Sequence, residues 1–270
     1  MSAGPRTLLV GCGNMGRALL DGWLRGGVLA PGQVTVLDPV ATPPEGVAVV
    51  RAPPAGPFDL VVLAIKPQQF AALAPALAPL AQDALVVSIL AGTDCGQLAA
   101  RLPGARVARI MANLAAAFGL SPVALHAAPG VLSGADRELL DRMGAALGPV
   151  EWLADEDLLH AVTALGGSGP GFVYRLLEAF AKSGAALGLE PQASAAMALA
   201  MVRGAAELAA RSGPIEDSRN FATLTAKVAS PGGTTRAGLD ELEHGDAADR
   251  LIAATLKAAH DRSVELAREA

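Results

Sequence analysis

Three small-residue turns hold the groups in this chain whose types and spacing could do chemistry. Gly11-Cys12-Gly13-Asn14-Met15-Gly16 follows an apolar run and opens a helical pattern. Gly166-Gly167-Ser168-Gly169-Pro170-Gly171 and Ser230-Pro231-Gly232-Gly233-Thr234-Thr235 each open another. A helix that starts on small residues presents bare backbone N–H groups, and nearby hydroxyls add donors, so each turn suits an anionic ligand. The first turn has the G-x-G-x-x-G spacing in the strand-to-helix context that gives it meaning. Gly11 permits the tight turn, Gly13 lets a pyrophosphate approach the backbone, and Gly16 lets helix and strand pack closely, with Cys12, Asn14 and Met15 completing the loop. That spacing predicts a dinucleotide site. The two later turns are then the candidates for holding a small carboxylate substrate.

Further candidates fall at predicted strand ends, the edge where sheets of this kind bind ligands. Asp38 closes the second apolar run, where an acid hydrogen-bonds an adenosine ribose and repels a 2′-phosphate, so it leans the cofactor to NADH over NADPH. A turn-forming Asp-Pro is the plainer reading, and Arg51 is an alternative partner for a 2′-phosphate. Ala64, Ile65, Lys66 and Pro67 end the fourth run; Pro67 holds Lys66 extended, which lays peptide groups against the cofactor. Lys66 reads equally as a solvated lysine. Ala91 and Gly92, after the fifth run, let the ribose–nicotinamide side come close, and Asn113, after the sixth, offers an amide. The acidic Asp155-Glu156-Asp157 reads as charge at a helix N-terminus, with Glu156 also a candidate to face the site. His126, His160, His244 and His260 share no ligand spacing with one another or with cysteine, so no metal site is expected. Gly167-Ser168-Gly169 lacks the G-x-S-x-G spacing of a nucleophile elbow.

The elements that must position these residues come in two styles. Short apolar runs at 8–10, 34–37, 47–50, 60–65, 84–89, 107–111 and 123–125 read as buried strands. Between them, helical patterns fall at 15–25, 68–80, 94–102 (with Thr93 as N-cap) and 135–147. Such alternation predicts an α/β fold with a doubly wound, mostly parallel sheet. Six prolines between Asp38 and Leu60 leave no room for a full crossover helix after the second strand, so an irregular link is expected there. From about residue 155 only helices are read, at 155–165, 172–187, 191–212, 221–229 and 246–269. The expected organisation is a dinucleotide-binding Rossmann domain over 1–154, followed by a helical substrate-binding and dimerisation domain over 155–270.

Composition narrows the function classes. With 52% hydrophobic and only 3% aromatic residues, the core must be built from Ala, Leu and Val. A net charge of −5 leaves no basic surplus for nucleic acid. The apolar runs are interrupted by Gly, Pro or charge, so no membrane span is expected. No cleavable secretory leader is read at the N-terminus. Cys12 and Cys95 make no disulfide framework, which points to a reducing cytoplasm. The alanine-rich helices bury little area each, and their small apolar positions imply a core shared with a second subunit.

Taken together, the first turn, the Ile65-Lys66-Pro67-Gln68 edge, the segment from Gly166 to Tyr174 and Ser230-Pro231-Gly232-Gly233-Thr234-Thr235 resemble the pyrroline-5-carboxylate reductase family over nearly the whole chain. The resemblance implies a Rossmann domain binding NADPH or NADH, a helical domain that interleaves with its partner, and homodimers often assembled into decamers. It implies reduction of the cyclic imine 1-pyrroline-5-carboxylate to L-proline, the last step of proline biosynthesis. Gly11 to Gly16, Ala64 to Pro67 and Ala91 would line the cofactor. Ser230, Gly232, Gly233, Thr234 and Thr235 would hold the substrate carboxylate and ring nitrogen through backbone N–H groups and the Thr235 hydroxyl, with Ser168 close by and Glu156 near the substrate. The family's Pro-Asn-Thr-Pro after the sixth strand stands here as Ala112-Asn113-Leu114-Ala115, and the segment 216–227 fits the family poorly. Two other readings stay open: a related reductase of another cyclic imine or a 3-hydroxy acid, and a non-catalytic nucleotide sensor.

Overall fold

The computed structural model describes residues 4–215 and 219–269; residues 216–218 of the poorly fitting segment lie outside these. Eight strands form one sheet: β1 (Thr7–Val10), β2 (Val34–Leu37), β3 (Ala48–Val50), β4 (Leu60–Leu63), β5 (Leu85–Ser88), β6 (Arg106–Met111), β7 (Val123–His126) and β8 (Val150–Trp152). Their order is β3-β2-β1-β4-β5-β6-β7-β8, parallel throughout except where β7 runs antiparallel to β6. Four helices cover this sheet: α1 (Asn14–Arg25), α2 (Pro67–Leu77), α3 (Cys95–Arg101) and α4 (Gly134–Leu147). Because the sheet is covered on both faces, its central strands β1, β4 and β5 are buried at every position instead of alternating. Successive side chains still point to opposite faces. Leu9, Val62 and Val87 pack in one cluster with Leu19, Trp23 and Met143, and Leu8, Val61 and Val86 pack in another with Phe70, Leu77 and Leu98.

Three local differences from the sequence reading have physical causes. The cap of α3 is Asp94, not Thr93: its Oδ1 accepts from the Gln97 N–H at 2.7 Å, and Gln97 Oε1 accepts from the Asp94 N–H at 3.0 Å. Thr93 is buried instead. The short strand β8 was not expected, because Glu151 interrupts its apolar pattern; its register with β7, Val123 opposite Val150, is what makes it a strand. The helix expected from residue 155 begins later, as α5 (Leu158–Val162), since Asp155 Oδ1 accepts from the Asp157 N–H and holds a turn there. α5 widens at Thr163–Gly167 into one turn of π-helix, a form that recurs at functional sites. The link from β2 to β3 carries no helix, as its prolines require.

Contacts divide the chain into two compact units. One runs to Gly167 and is rejoined by the chain from Ala258 onward, and the other is 168–257. The second unit opens with α6 (Gly169–Ala186) and α7 (Pro191–Arg211), followed by α8 (Arg219–Val228), α9 (Thr234–Glu243) and the start of α10 (Ala247–Glu269). α6 and α7 pack closely where Ser194 Oγ donates to the Ala181 carbonyl at 2.8 Å, beside Gly184. Of α6 nothing is buried, and of α7 only Ser194 and Ala198. Val173, Tyr174, Phe180, Met197 and Leu199 are exposed. By length and composition α7 could cross a membrane, which the sequence reading did not expect; it is the one such helix among the described residues.

Candidate functional site

The first turn is built as the glycine spacing demands. Gly11 has φ +89°, and a Cβ there would lie 2.5 Å from the Ala64 carbonyl oxygen at the end of β4. A Cβ on Gly16 would lie 2.3 Å from the Gly11 carbonyl oxygen, so turn and helix touch backbone to backbone. Gly13 is the opposite case: a Cβ there would meet nothing within 4 Å. Gly13 also precedes α1 with no side-chain cap. The first turn of α1 therefore starts at an unobstructed backbone position with its N–H groups free of a side-chain cap, as binding of a pyrophosphate requires. These residues fit a dinucleotide.

Asp38 is turned toward this loop. Its Oδ2 accepts from the Cys12 N–H at 2.9 Å, and its Oδ1 accepts from the Val40 and Ala41 N–H groups at 2.9 and 2.8 Å. Burial pushes its carboxyl up, but those three N–H bonds and the charge of Arg51 outweigh burial and hold it below the ordinary value. Arg51 Nη1 donates to the carbonyls of Asp38 and Ala41 at 2.6 and 3.2 Å. Burial pushes the Cys12 thiol up.

Toward the middle of the sheet a cavity of about 150 Å³ opens at the ends of the strands, lined among others by Met15, Ile89, Ala91, Met111 and Gly167. Its apolar walls suit the flat face of a nicotinamide ring. Ala64 and Ile65 stand against Gly11. Lys66 is exposed, with φ −74° and ψ 145°, the extended backbone that Pro67 requires. Gly92 makes its close approach to protein and not to open space: at φ +76°, a Cβ would lie 2.7 Å from the Leu266 carbonyl oxygen in α10. Asn113, expected at the cofactor edge, is buried, and both ends of its amide are engaged. Its Oδ1 accepts from the Ala115 N–H at 2.9 Å, and its Nδ2 donates to the Gly166 carbonyl at 2.8 Å. It thereby pins the wide turn at Gly166 to the end of β6.

Glu156 is the hub of a second cluster. Its Oε1 accepts from the Cys95 N–H at the start of α3 and from Arg109 Nη1 in β6, both at 2.8 Å. Its Oε2 lies 3.9 Å from His126 Nε2. The thiol of Cys95 is pushed up to about 12, first by burial and then by this carboxylate. Cys95, His126 and Glu156 place potential ligand atoms within 4.8 Å of one another, a grouping their sequence spacing does not show. The Arg109 guanidinium already stands on the carboxylate as its cation. Arg109 also lines the apolar cavity.

In the helical unit, Gly232 takes φ +72° and Gly233 precedes α9 with no side-chain cap. The Gly233 N–H closes the turn by donating to the Ser230 carbonyl at 3.0 Å. Of the backbone donors expected to clamp a carboxylate, that one is occupied. Those of Thr234 and Thr235 stand at the open end of a ten-residue helix. Ser230, Thr234 and Thr235 are exposed. Ser168 precedes α6 with its hydroxyl uncommitted to the cap.

Known proteins bear on this arrangement. Residues 156–266 match the family model described as pyrroline-5-carboxylate reductase dimerisation, and residues 7–92 match the one described as NADP oxidoreductase, coenzyme F420-dependent. The chain is 36% identical over 275 residues to the pyrroline-5-carboxylate reductase of Pseudomonas aeruginosa, covering 98% of each. Among solved structures, the pyrroline-5-carboxylate reductase of Coxiella burnetii superposes with a TM-score of 0.85 at 27% identity, over 97% of this chain and 98% of that one. The fold is shared also with the Plasmodium falciparum pyrroline carboxylate reductase, solved with NADP bound, at a TM-score of 0.83 and 20% identity over 98% of this chain and 99% of that one. This chain belongs to the pyrroline-5-carboxylate reductase family.

Proposed function

We propose that the chain reduces 1-pyrroline-5-carboxylate to L-proline with NADPH or NADH, as an oxidoreductase acting on a cyclic imine. The observation that carries this reading is the uncapped N-terminus of α9, an anion-ready turn in a chain that matches the family over nearly its whole length. When bound, the reduced nicotinamide supplies a hydride from its C4. The chain's own residues position and neutralise. The Thr234 and Thr235 N–H groups, with Gly232 and the Ser230 hydroxyl, hold the substrate carboxylate. The Thr235 hydroxyl oxygen accepts from the ring N–H of the protonated imine, and Ser168 is a second contact. A cyclic iminium is electrophilic already, so fixing its geometry is the larger part of the work. Gly11, Cys12, Gly13, Asn14, Met15 and Gly16 receive the pyrophosphate, and Ala64 to Pro67 with Ala91 line the ring side. Glu156 and Asn113 act as positioning residues, since their polar atoms are held by Arg109, Cys95, Ala115 and Gly166.

On this reading the dinucleotide domain spans 1–154, and the helical domain of 155–270 pairs with a second copy in a cytoplasmic homodimer or dimer-based decamer. The exposed apolar residues of α6 and α7 support the pairing, and light scattering on the eluted protein gives the copy number. The activity is tested by following NADH and NADPH oxidation with a panel of five- and six-membered cyclic imino acids. Pyrroline-5-carboxylate should be the best substrate, with proline as product. A six-membered imine turned over faster would reassign the substrate, and no oxidation with any imine would leave only a nucleotide-binding protein.

A further inference from the structure

We infer that Arg51 makes the chain select NADPH over NADH by receiving the 2′-phosphate of the adenosine end. This inference rests on the proposed binding of a nicotinamide dinucleotide at the Gly11 turn. Asp38 alone would argue the opposite, since an acid at the end of β2 normally faces the ribose diol. Here its carboxylate is occupied by three backbone N–H groups, from Cys12, Val40 and Ala41. The N–H bonds to Val40 and Ala41 turn it into its own loop, and that to Cys12 ties it to the glycine turn. It has become a brace for the pyrophosphate turn.

The cation left at this end is Arg51. The strand order places β3 at the sheet edge beside β2, with Val50 opposite Leu37. Residue 51 therefore emerges next to residue 38. No helix covers the connection between the two strands. Arg51 Nη1 is anchored on the Asp38 and Ala41 carbonyls, which holds that end of the guanidinium against the loop. Its Nε and Nη2 donate to no acceptor among the described residues, and although its charge acts on Asp38, no carboxylate there lies within 4.0 Å of the guanidinium. Arg17 differs: its Nη1 holds the Thr42 carbonyl at 3.2 Å, but its charge is met by Asp21 at 2.8 Å. Arg51 is thus an exposed, oriented guanidinium with a free edge, the geometry that takes a phosphate by two parallel hydrogen bonds.

The test reads binding, not turnover. Dissociation constants for NADPH, NADH, adenosine 2′,5′-bisphosphate and AMP are measured by calorimetry on the wild type, Arg51→Ala and Arg51→Gln. Arg51→Gln keeps one donor for the loop carbonyls and removes the charge. The wild type should bind each 2′-phosphorylated ligand about tenfold or more tightly than its partner, the scale of charge-assisted hydrogen bonds. Both variants should lose that preference while NADH and AMP stay within about threefold of wild type. Equal wild-type affinities, a preference for NADH, or a parallel loss of all four ligands would each overturn the role of Arg51. Failure of the wild type to bind any of the four would instead overturn the dinucleotide site itself.

Discussion

Replacing Glu156 by Ala removes one carboxylate and leaves three groups without their partner. The Arg109 guanidinium is only 13% exposed and Glu156 only 23%, so water re-solvates the orphaned cation poorly. Breaking a buried ion pair from one side costs about 3–5 kcal/mol. Partial exposure reduces this to about 2–4 kcal/mol, including the loss at the start of α3, where the Cys95 N–H loses its acceptor. At roughly 2–4 °C per kcal/mol for a chain of this class, Tm falls by roughly 4–16 °C. The assay is thermal and urea unfolding with no ligand present, so that loss of a substrate contact cannot contribute. Arg109→Ala and the double variant close a cycle whose coupling should be about 1–3 kcal/mol. A second readout is the thiol. Glu156 helps to push Cys95 up to about 12, so its removal lowers that value and raises the alkylation rate at alkaline pH, measured in a Cys12→Ser background. A Tm within a degree of wild type, together with an unchanged Cys95 profile, would refute the hub and return Glu156 to the substrate.

Thr235→Ala should lower turnover efficiency by about 10²-fold, the effect of one positioned donor or acceptor, with Tm unchanged; unaltered kinetics would remove Thr235 from the mechanism. Two glycine variants separate folding from binding. Gly16→Ala drives a Cβ to 2.3 Å from backbone and should destabilise by several kcal/mol, whereas Gly13→Ala meets no protein atom and should unfold like wild type yet bind dinucleotide at least about tenfold more weakly. Acid stability should depend on Asp136. Burial pushes its carboxyl up, but hydrogen bonds from Arg106, at 2.7 Å, and Ser133 outweigh burial and hold it below the ordinary value. A depressed folded value stabilises above the unfolded pKa of about 3.9 and is lost as pH falls through the folded one. Asp136→Asn should therefore be less stable at neutral pH, with the gap to wild type closing at low pH in unfolding curves.

What could be read from the sequence was what depends on neighbours in the chain. Continuous apolar runs gave the buried strands, and the strand–glycine–helix order gave the turn at Gly11. Proline spacing likewise ruled out a helix between β2 and β3. What could not be read depends on partners far along the chain. Glu156 meets Cys95 and Arg109 across separations of 61 and 47 residues, and Asn113 meets Gly166 across 53. No periodicity encodes such pairs. Gly92 looked like room for a ligand because its own segment gives no sign of the helix lying against it. Asp38 shows the subtler case: its position at a strand end was legible, but the direction of its carboxylate was set by backbone donors that only the folded loop supplies.

α10 has a consequence for how the molecule is made. The helix begins in the unit that starts at Ser168 and finishes in the unit that starts the chain, where Leu266 meets Gly92 and Ser263 donates to or accepts from His160 Nδ1 at 2.9 Å. The first unit is therefore discontinuous, closed by a segment that is synthesised only after the whole of the second unit. Its sheet can form during synthesis, but the socket at Gly92 waits until α10 has been made. A fragment ending at Gly167 would carry the whole sheet and still expose that socket, so the N-terminal unit is not separable by cutting where its first segment ends.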